Sequence, residues 1–265
     1  MKILFIGDIF GKSGISILEK KLTNLKIEKN IDLVIANGEN ASLNGKGLER
    51  NDYLKLKKIG IDFFTLGNHA FRSKSIEEFI ENDDIIRPMN WEGKNIPGKG
   101  SRVIKNKLLN IRISSIMGQT YINEPSTNPF IYFDNFINNA EKSNIHIVDF
   151  HGEATSEKNV FGFQFDGKVS AIIGTHTHVQ TADLRLNPKG TAYITDVGMT
   201  GPTYSSIGAD YELVSKRMSS GLPIYFKESR YTSQINAIVM EFDRNNDIKK
   251  LERIFIRPNN IMEKE

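Results

Sequence analysis

Short apolar runs alternate with segments of helical period along the first ninety residues of the chain. The runs Ile3 to Gly7, Leu33 to Ala36 and Phe63 to Leu66 predict buried strands. Helices are predicted after them, over about 13–30, 48–59 and 75–81. A repeated succession of strand, helix and strand is typical of βαβ units and a largely parallel sheet. This half of the chain therefore predicts an α/β fold.

Beyond about residue 85 the apolar runs continue, with more Gly and Pro between them. Strands are predicted over 102–104, 111–116, 146–150, 169–174 and 191–195, and helices over about 128–142 and 209–218. A closing hairpin is expected, with its turn near 244–247. The chain has no internal repeat and no Pro-rich linker. We therefore expect one α/β domain with two sheets, spanning residues 1–265.

Composition narrows the classes of protein that this fold can represent. The formal charge of +3, from 35 basic and 32 acidic residues, gives no reason to expect a stable nucleic-acid partner but suits a small anionic substrate. The absence of cysteine excludes disulfides, thiolate metal sites and cysteine nucleophiles. No apolar run approaches the ~18 residues of a membrane span, so we expect a cytoplasmic protein with no membrane partner.

Five of the predicted strands end in residues that commonly bind metals. The endings carry Asp8, then Glu39 and Asn40, then Asn68 and His69, then His151, and finally His176 and His178. The carboxyl ends of the strands form the crevice where open α/β sheets bind ligands, so these side chains should converge. Carboxylate, amide oxygen and imidazole suit Mn, Fe or Zn. The pattern favours a metal site.

Each of these residues has an ordinary structural alternative when it is considered alone. Asp8 suits a helix cap, and Glu39 and Asn40 suit a turn. Their joint occurrence changes this interpretation, because four of the five histidines lie in these motifs and only His146 lies outside. A phosphate-binding P-loop at 7–13 is disfavoured, because three residues separate its glycines where the motif needs four.

The order of these motifs resembles the calcineurin-like metallophosphoesterases. The segments Gly7-Asp8-Ile9-Phe10-Gly11, Asn37-Gly38-Glu39-Asn40, Gly67-Asn68-His69, His151-Gly152-Glu153, Thr175-His176-Thr177-His178 and Thr195-Asp196-Val197-Gly198-Met199-Thr200-Gly201 are similar to the bacterial YmdB-like branch. The resemblance runs through nearly the whole chain. It implies a two-sheet αββα sandwich with the metal site at the carboxyl ends of the strands.

The resemblance also implies a role for each motif residue. Asp8 and His178 would bind one metal, Asn68, His151 and His176 the other, and Glu39 would bridge the two. The wider superfamily has a histidine where this chain has Phe10, and in the YmdB-like branch Asn40 takes that place. The two ions, divalent or trivalent, are expected to be Fe or Mn, with Zn as a further option.

We hypothesise that a metal-bridging hydroxide hydrolyses the substrate while His69 acts as general acid on the leaving oxygen. The resemblance implies a phosphodiesterase acting on small phosphodiesters, with nucleoside 2',3'-cyclic phosphates as the substrate class. Two alternatives stay open at this point: a phosphomonoesterase or nucleotidase on the same site, and a non-enzymatic nucleotide-binding regulator. A homo-oligomer is compatible with the sequence.

Overall fold

The structure of the protein is a computed structural model that describes residues 1–106 and 109–259. The strands are β1 Lys2–Ile6, β2 Asp8–Ile9, β3 Leu33–Asn37, β4 Phe63–Thr65, β5 Ile85–Ile86, β6 Ser101–Asn106, β7 Leu109–Met117, β8 Ile145–His151, β9 Ala171–Thr175, β10 Arg185–Leu186, β11 Ala192–Ile194, β12 Met199–Pro202, β13 Ser233–Phe242 and β14 Ile248–Ile256. The helices are α1 Gly11–Lys29, α2 Arg50–Ile59, α3 Pro129–Asn139, α4 Thr155–Gln164 and α5 Tyr211–Ser220, with a 3-10 helix at Lys74–Glu78.

Within the described residues these strands form two sheets. The first has eight strands in the order β2-β12-β13-β1-β3-β4-β5, with β14 paired to β13, and β1, β3, β4 and β5 run parallel. The second has six in the order β10-β11-β9-β8-β7-β6, with a parallel centre from β11 to β7. The predicted α/β class with two sheets is confirmed.

The two sheets pack face to face, and helices cover their outer faces. Alternate residues of β1 show the arrangement, since Ile3 and Phe5 belong to the core between the sheets. Leu4 and Ile6 point the other way, into a core shared with α1 and α2. The outer face of the second sheet packs against α3 and α4. This period of two is what a strand buried on both faces requires, and the layers form the expected αββα sandwich.

Several predicted boundaries differ from the observed ones. The helix expected to reach residue 142 ends at Asn139, because Ala140 adopts an extended backbone at ψ 144° after two asparagines, which are weak helix formers. The segment predicted as a helix over 75–81 is a 3-10 helix that ends at Glu78. Helix α4 was not predicted at all. The hairpin formed by β13 and β14 confirms the expected closing turn.

No helix among the described residues has the length and apolar character needed to cross a membrane.

The core between α4 and the second sheet provides a stability test. Phe161 is fully buried, and its ring lies 4.5 Å from the centroid of Phe150 and 4.5 Å from that of Phe165. Phe161→Ala should lower the free energy of unfolding by about 3–5 kcal/mol, because it leaves a cavity in an aromatic core. Urea unfolding measures the change. Phe163→Ala is the control on the same helix, since Phe163 is 57% exposed; equal losses in both variants would contradict this assignment of the core.

Candidate metal centre

The carboxyl ends of the central strands of both sheets meet at one edge of the sandwich. The sequence-predicted residues lie there at the following positions: Asp8 at the start of β2, Glu39 and Asn40 after β3, Asn68 and His69 after β4, His151 as the last residue of β8, and His176 and His178 after β9. The first sheet therefore supplies the acidic and amide groups, and the second sheet supplies three histidines. The site depends on the packing of the two sheets.

His151 lies at the centre of the first group of contacts. Its Nε2 atom is 2.8 Å from Oε1 of Glu39, 3.0 Å from Oδ1 of Asn68 and 3.0 Å from Nδ1 of His176. Within the described residues, the ligand atoms of Glu39, His151 and His176 all lie within 4.8 Å of one another. Three potential ligand atoms thus lie within 3.0 Å of Nε2 of His151, which is itself a fourth.

The hydrogen bond made by Nδ1 of His151 determines the tautomer of the neutral ring. The Thr175 hydroxyl donates to Oδ1 of Asp149 at 2.6 Å, so it accepts from Nδ1 of His151 at 2.8 Å. The proton of the neutral ring therefore lies on Nδ1. Nε2 presents a lone pair to the other ligand atoms, as metal-binding histidines do.

The tautomer of His176 also leaves a lone pair directed at this group. Its Nε2 lies 3.2 Å from Oε2 of Glu153, and this carboxylate can only accept, so the proton lies on Nε2 and the lone pair on Nδ1. Two imidazole lone pairs, an amide oxygen and a carboxylate oxygen then face one another. A proton on one nitrogen satisfies one contact well, whereas a metal ion bonds to all four. The donor set fits a divalent metal ion.

The electrostatic potential at this point also favours a positive charge. Burial opposes the charged form of His151, but the combined attraction of Glu39, Asp8 and Asp149 outweighs it and raises the pKa of His151 to about 9. Burial also opposes the charged form of Glu39, but the combined attraction of His151, His69 and His176 lowers the pKa of Glu39. Burial, reinforced by repulsion from His151, lowers the pKa of His176 to about 3, so His176 is neutral at pH 7.

Asp8 and Asn40, beside this group, contain two buried oxygens without a hydrogen-bond partner. Among the described residues, Oδ1 of Asp8 and Oδ1 of Asn40 are both in this state. The other Asp8 oxygen accepts from the His176 backbone N–H at 3.3 Å. An unpartnered buried oxygen costs about 1–3 kcal/mol, and a cation removes that cost. Both oxygens are therefore free to bind a cation.

The orientation of the Asn40 amide follows from its partners. Its nitrogen donates to the Gly45 carbonyl at 2.8 Å and contacts Nδ1 of His69 at 3.1 Å, so its oxygen is the free atom. His178 is placed in a similar way, because its Nδ1 donates to the Ile207 carbonyl at 2.9 Å. That bond leaves a lone pair on Nε2 of His178.

Phe10, where the resemblance to the metallophosphoesterases implies a histidine, has no ligand atom to offer. Its ring packs edge-on against His178, with the centroids 5.8 Å apart. Gly208, at φ 106°, makes room for it, since a Cβ there would lie 2.5 Å from the Phe10 ring. Phe10 therefore serves as a packing residue for a histidine.

Three residues that support the site were not identified as site residues from the sequence. The fully buried Asp149 acts on His151 through Thr175, as described above. Lys158 is 1% exposed; it donates to Asp196 at 2.8 Å and to the Thr175 carbonyl at 2.7 Å. Asp196 also accepts from the Thr177 backbone N–H at 2.9 Å. This buried ion pair fixes the loop that carries His176 and His178.

Two further acidic residues lie near the motifs. Glu153 contacts His176. Asp183 accepts hydrogen bonds from Thr195 and Arg185 and is structural. The fifth histidine, His146, is buried at the opposite end of β8 and bonds to the Ser114 hydroxyl at 2.8 Å. Its burial lowers its pKa to about 3.

An αββα sandwich with imidazole, carboxylate and amide groups gathered at its strand ends defines a metallophosphoesterase. A model of the YmdB-like protein family matches residues 4–254. The chain belongs to the YmdB-like family.

Known proteins agree with this assignment. The chain is 41% identical to the 2',3'-cyclic-nucleotide 2'-phosphodiesterase of Bacillus subtilis over 97% of both proteins. A crystal structure described as a novel phosphatase from Mycoplasma pneumoniae superposes with a TM-score of 0.92 at 40% identity, covering 97% of this chain and 93% of that one. A 5'-nucleotidase structure from Staphylococcus aureus, at 13% identity and a TM-score of 0.58, shares the fold; it covers 100% of this chain and 56% of that chain.

The histidines allow a direct test of metal binding. His176→Ala should lose at least half of the bound metal after dialysis, because it removes one lone pair from the group around His151. Elemental analysis of folded protein measures the metal content. His146→Gln is the matched control and should retain the metal. Equal metal content in both variants would remove His176 from the ligands.

The buried ion pair provides a second test. Lys158→Met should lower the free energy of unfolding by about 3–5 kcal/mol, because Asp196 keeps a buried charge without its partner. It should also weaken metal retention, since Asp196 holds the His176 loop. Lys168→Met, which breaks a half-exposed pair with Asp134, is the control and should change stability by less than ~1 kcal/mol. Chemical unfolding with and without added Mn²⁺ distinguishes the two effects, and unchanged metal retention in Lys158→Met would contradict its role.

Proposed function

We propose that the protein is a metal-dependent phosphodiesterase that hydrolyses nucleoside 2',3'-cyclic phosphates, and that residues 1–265 act as one catalytic domain. The observation that carries the proposal is the set of lone pairs around His151 beside the unpartnered oxygens of Asp8 and Asn40. The Bacillus subtilis relative, at 41% identity over nearly its full length, supports the substrate class.

The proposed ligands are Asn68, His151 and His176 for one ion, Asp8, Asn40 and His178 for the other, and Glu39 between them. The donor set of oxygen and imidazole suits Fe or Mn, as well as Zn. When bound, the two ions supply Lewis-acid polarisation of the phosphoryl group and a nucleophile near neutral pH.

The proposed role of Glu39 is to fix the position of His151 relative to the loop that carries His69. One of its oxygens faces His151, and the other accepts from the His69 backbone N–H at 2.9 Å. This carboxylate, on the loop after β3, thereby contacts both the end of β8 and the loop after β4. This connection fixes His69 relative to the metal ligands.

His69 is the proposed donor to the leaving oxygen. Its Nδ1 accepts from the Asn40 amide nitrogen, so the ring proton lies on Nε2. Burial lowers the pKa of His69, which favours this neutral form. The Nε2 proton is then free to bond to the oxygen on which charge develops as the P–O bond breaks, where a single placed donor typically contributes ~10²-fold or more in rate.

We expect His69→Ala to reduce kcat on adenosine 2',3'-cyclic phosphate by at least ~10²-fold with near-native metal content. Steady-state kinetics with elemental analysis of the same sample measures both quantities. His69→Gln retains a hydrogen-bond donor but cannot act as an acid. Because the neutral ring donates a hydrogen bond, His69→Gln should recover part of the turnover. Equal loss in both variants would contradict hydrogen-bond donation by the neutral ring, and unchanged turnover in His69→Ala would remove the residue from the mechanism.

The same assay tests the substrate class. The metal-loaded protein should hydrolyse the cyclic diester more efficiently than the corresponding 2'- and 3'-monoesters. Turnover of the monoesters alone would assign a phosphomonoesterase to this site. No turnover of any ester, with metal bound, would favour a nucleotide-binding regulator and overturn the proposal.

A further inference from the structure

An apolar cavity of about 550 Å³ opens directly beside the proposed metal centre. His69, His178 and Asn40 form one side of it, so a phosphate at the metal centre lies at its edge. The opposite side is formed by α5 and by the chain that follows it, including Val214, Met218, Arg217 and Phe226. The cavity thus joins the polar groups of the proposed metal centre to a largely apolar surface.

The opposite side of the cavity has the chemistry of a site for a flat aromatic ring. The Arg217 guanidinium lies over the face of Phe226, 5.1 Å from the ring centroid. The pair places guanidinium N–H donors beside an aromatic ring. Among the described residues that line the cavity, the charged side chains are those of Lys46 and Arg217, both cationic. The cavity therefore suits a group with a π face and hydrogen-bond acceptors.

Exposed apolar side chains mark the mouth of this cavity. Ile207, Met218 and Phe226 are 57%, 81% and 43% exposed. Ile207 also has a φ of 47°, which is a strained value for a β-branched residue, and its carbonyl is the group that accepts from His178. The backbone at the cavity mouth is therefore tied directly to a proposed metal ligand.

The segment after α5 that carries Phe226 is held against α1 by Glu228. The Glu228 carboxylate, two residues further on, accepts from the backbone N–H of Ser13 at 2.8 Å and of Lys12 at 3.1 Å. These are first-turn N–H groups of α1, where a carboxylate is stabilised by the helix dipole. Glu228 thus satisfies two first-turn N–H groups of α1 and fixes the segment that carries Phe226.

We infer that this cavity binds the base of a nucleoside 2',3'-cyclic phosphate, with Phe226 and Arg217 as the residues that recognise it. This inference rests on the proposed function, because it assigns a base-binding position to the same substrate. The 2',3'-cyclic phosphate faces His69 and His178, and the base extends towards α5. Base stacking on Phe226 and donation from Arg217 to base acceptors make a nucleoside diester a better substrate than a sugar diester without a base.

The test compares two substrates that differ only in the base: adenosine 2',3'-cyclic phosphate and methyl riboside 2',3'-cyclic phosphate. The metal-loaded protein should show a kcat/KM at least about tenfold higher for the nucleotide, the scale of one base stacked on an aromatic side chain. Phe226→Ala and Arg217→Met should reduce kcat/KM for the nucleotide by about that factor and leave the methyl riboside diester unchanged.

Tyr225→Ala is the matched control. Tyr225 precedes Phe226, is 95% exposed and does not line the cavity, so its loss should change neither substrate. The inference is overturned if the unmutated protein hydrolyses both diesters equally well, if Phe226→Ala preserves the preference for the nucleotide, or if it impairs both substrates alike. Failure of the unmutated protein to hydrolyse either diester overturns the proposed function instead, so the two failures are distinguishable.

Discussion

The site depends on one electrostatic constraint: lone pairs from four side chains point at the same place. Nε2 of His151 has no protein donor to face, since its ring proton is committed to Thr175. Its neighbours are oxygen and nitrogen atoms that accept. Such an arrangement repels itself unless a positive charge lies among the acceptors, either a metal ion or a proton on His151, whose pKa is raised to about 9. Much of the surrounding structure, including the two sheets and the buried ion pair, keeps these atoms from moving apart.

Two features of the fold impose this proximity. The inter-sheet core of Ile3, Phe5, Ile147 and Ile173 is closely packed, so the strand ends of one sheet cannot separate from those of the other. Lys158 and Asp196 then fix the loop after β9 from the helix side. Apolar packing between the sheets and the neutral ion pair of Lys158 and Asp196 together offset the repulsion between the gathered acceptor atoms. A binding site with repulsive ligands can therefore exist within a stable domain.

Much of the fold was predictable because its signals are local. Strands β1, β3 and β4 are mainly apolar runs, and the polar residues that follow them mark the edge where ligands gather, as with Gly38-Glu39 and Gly67-Asn68. The supporting contacts were not predictable, because they join distant segments that have no shared pattern. Lys158 lies on α4, which sequence reasoning did not identify, and reaches Asp196 across 38 positions. Glu228 and Ser13 are separated by 215 positions, and neither has a motif.

The order of strands in the first sheet has a consequence for folding. β1, near the beginning of the chain, lies between β3 and β13, and β2 pairs with β12. During synthesis, the amino-terminal strands emerge from the ribosome long before Met199–Pro202 and Ser233–Phe242 exist. One edge of β1 and the segment that carries Asp8 therefore pair with strands about two hundred residues further along the chain. Loop closure over such distances is slow. A chain that ends before β12 and β13 therefore lacks a finished first sheet, including the strand that pairs with the segment carrying Asp8.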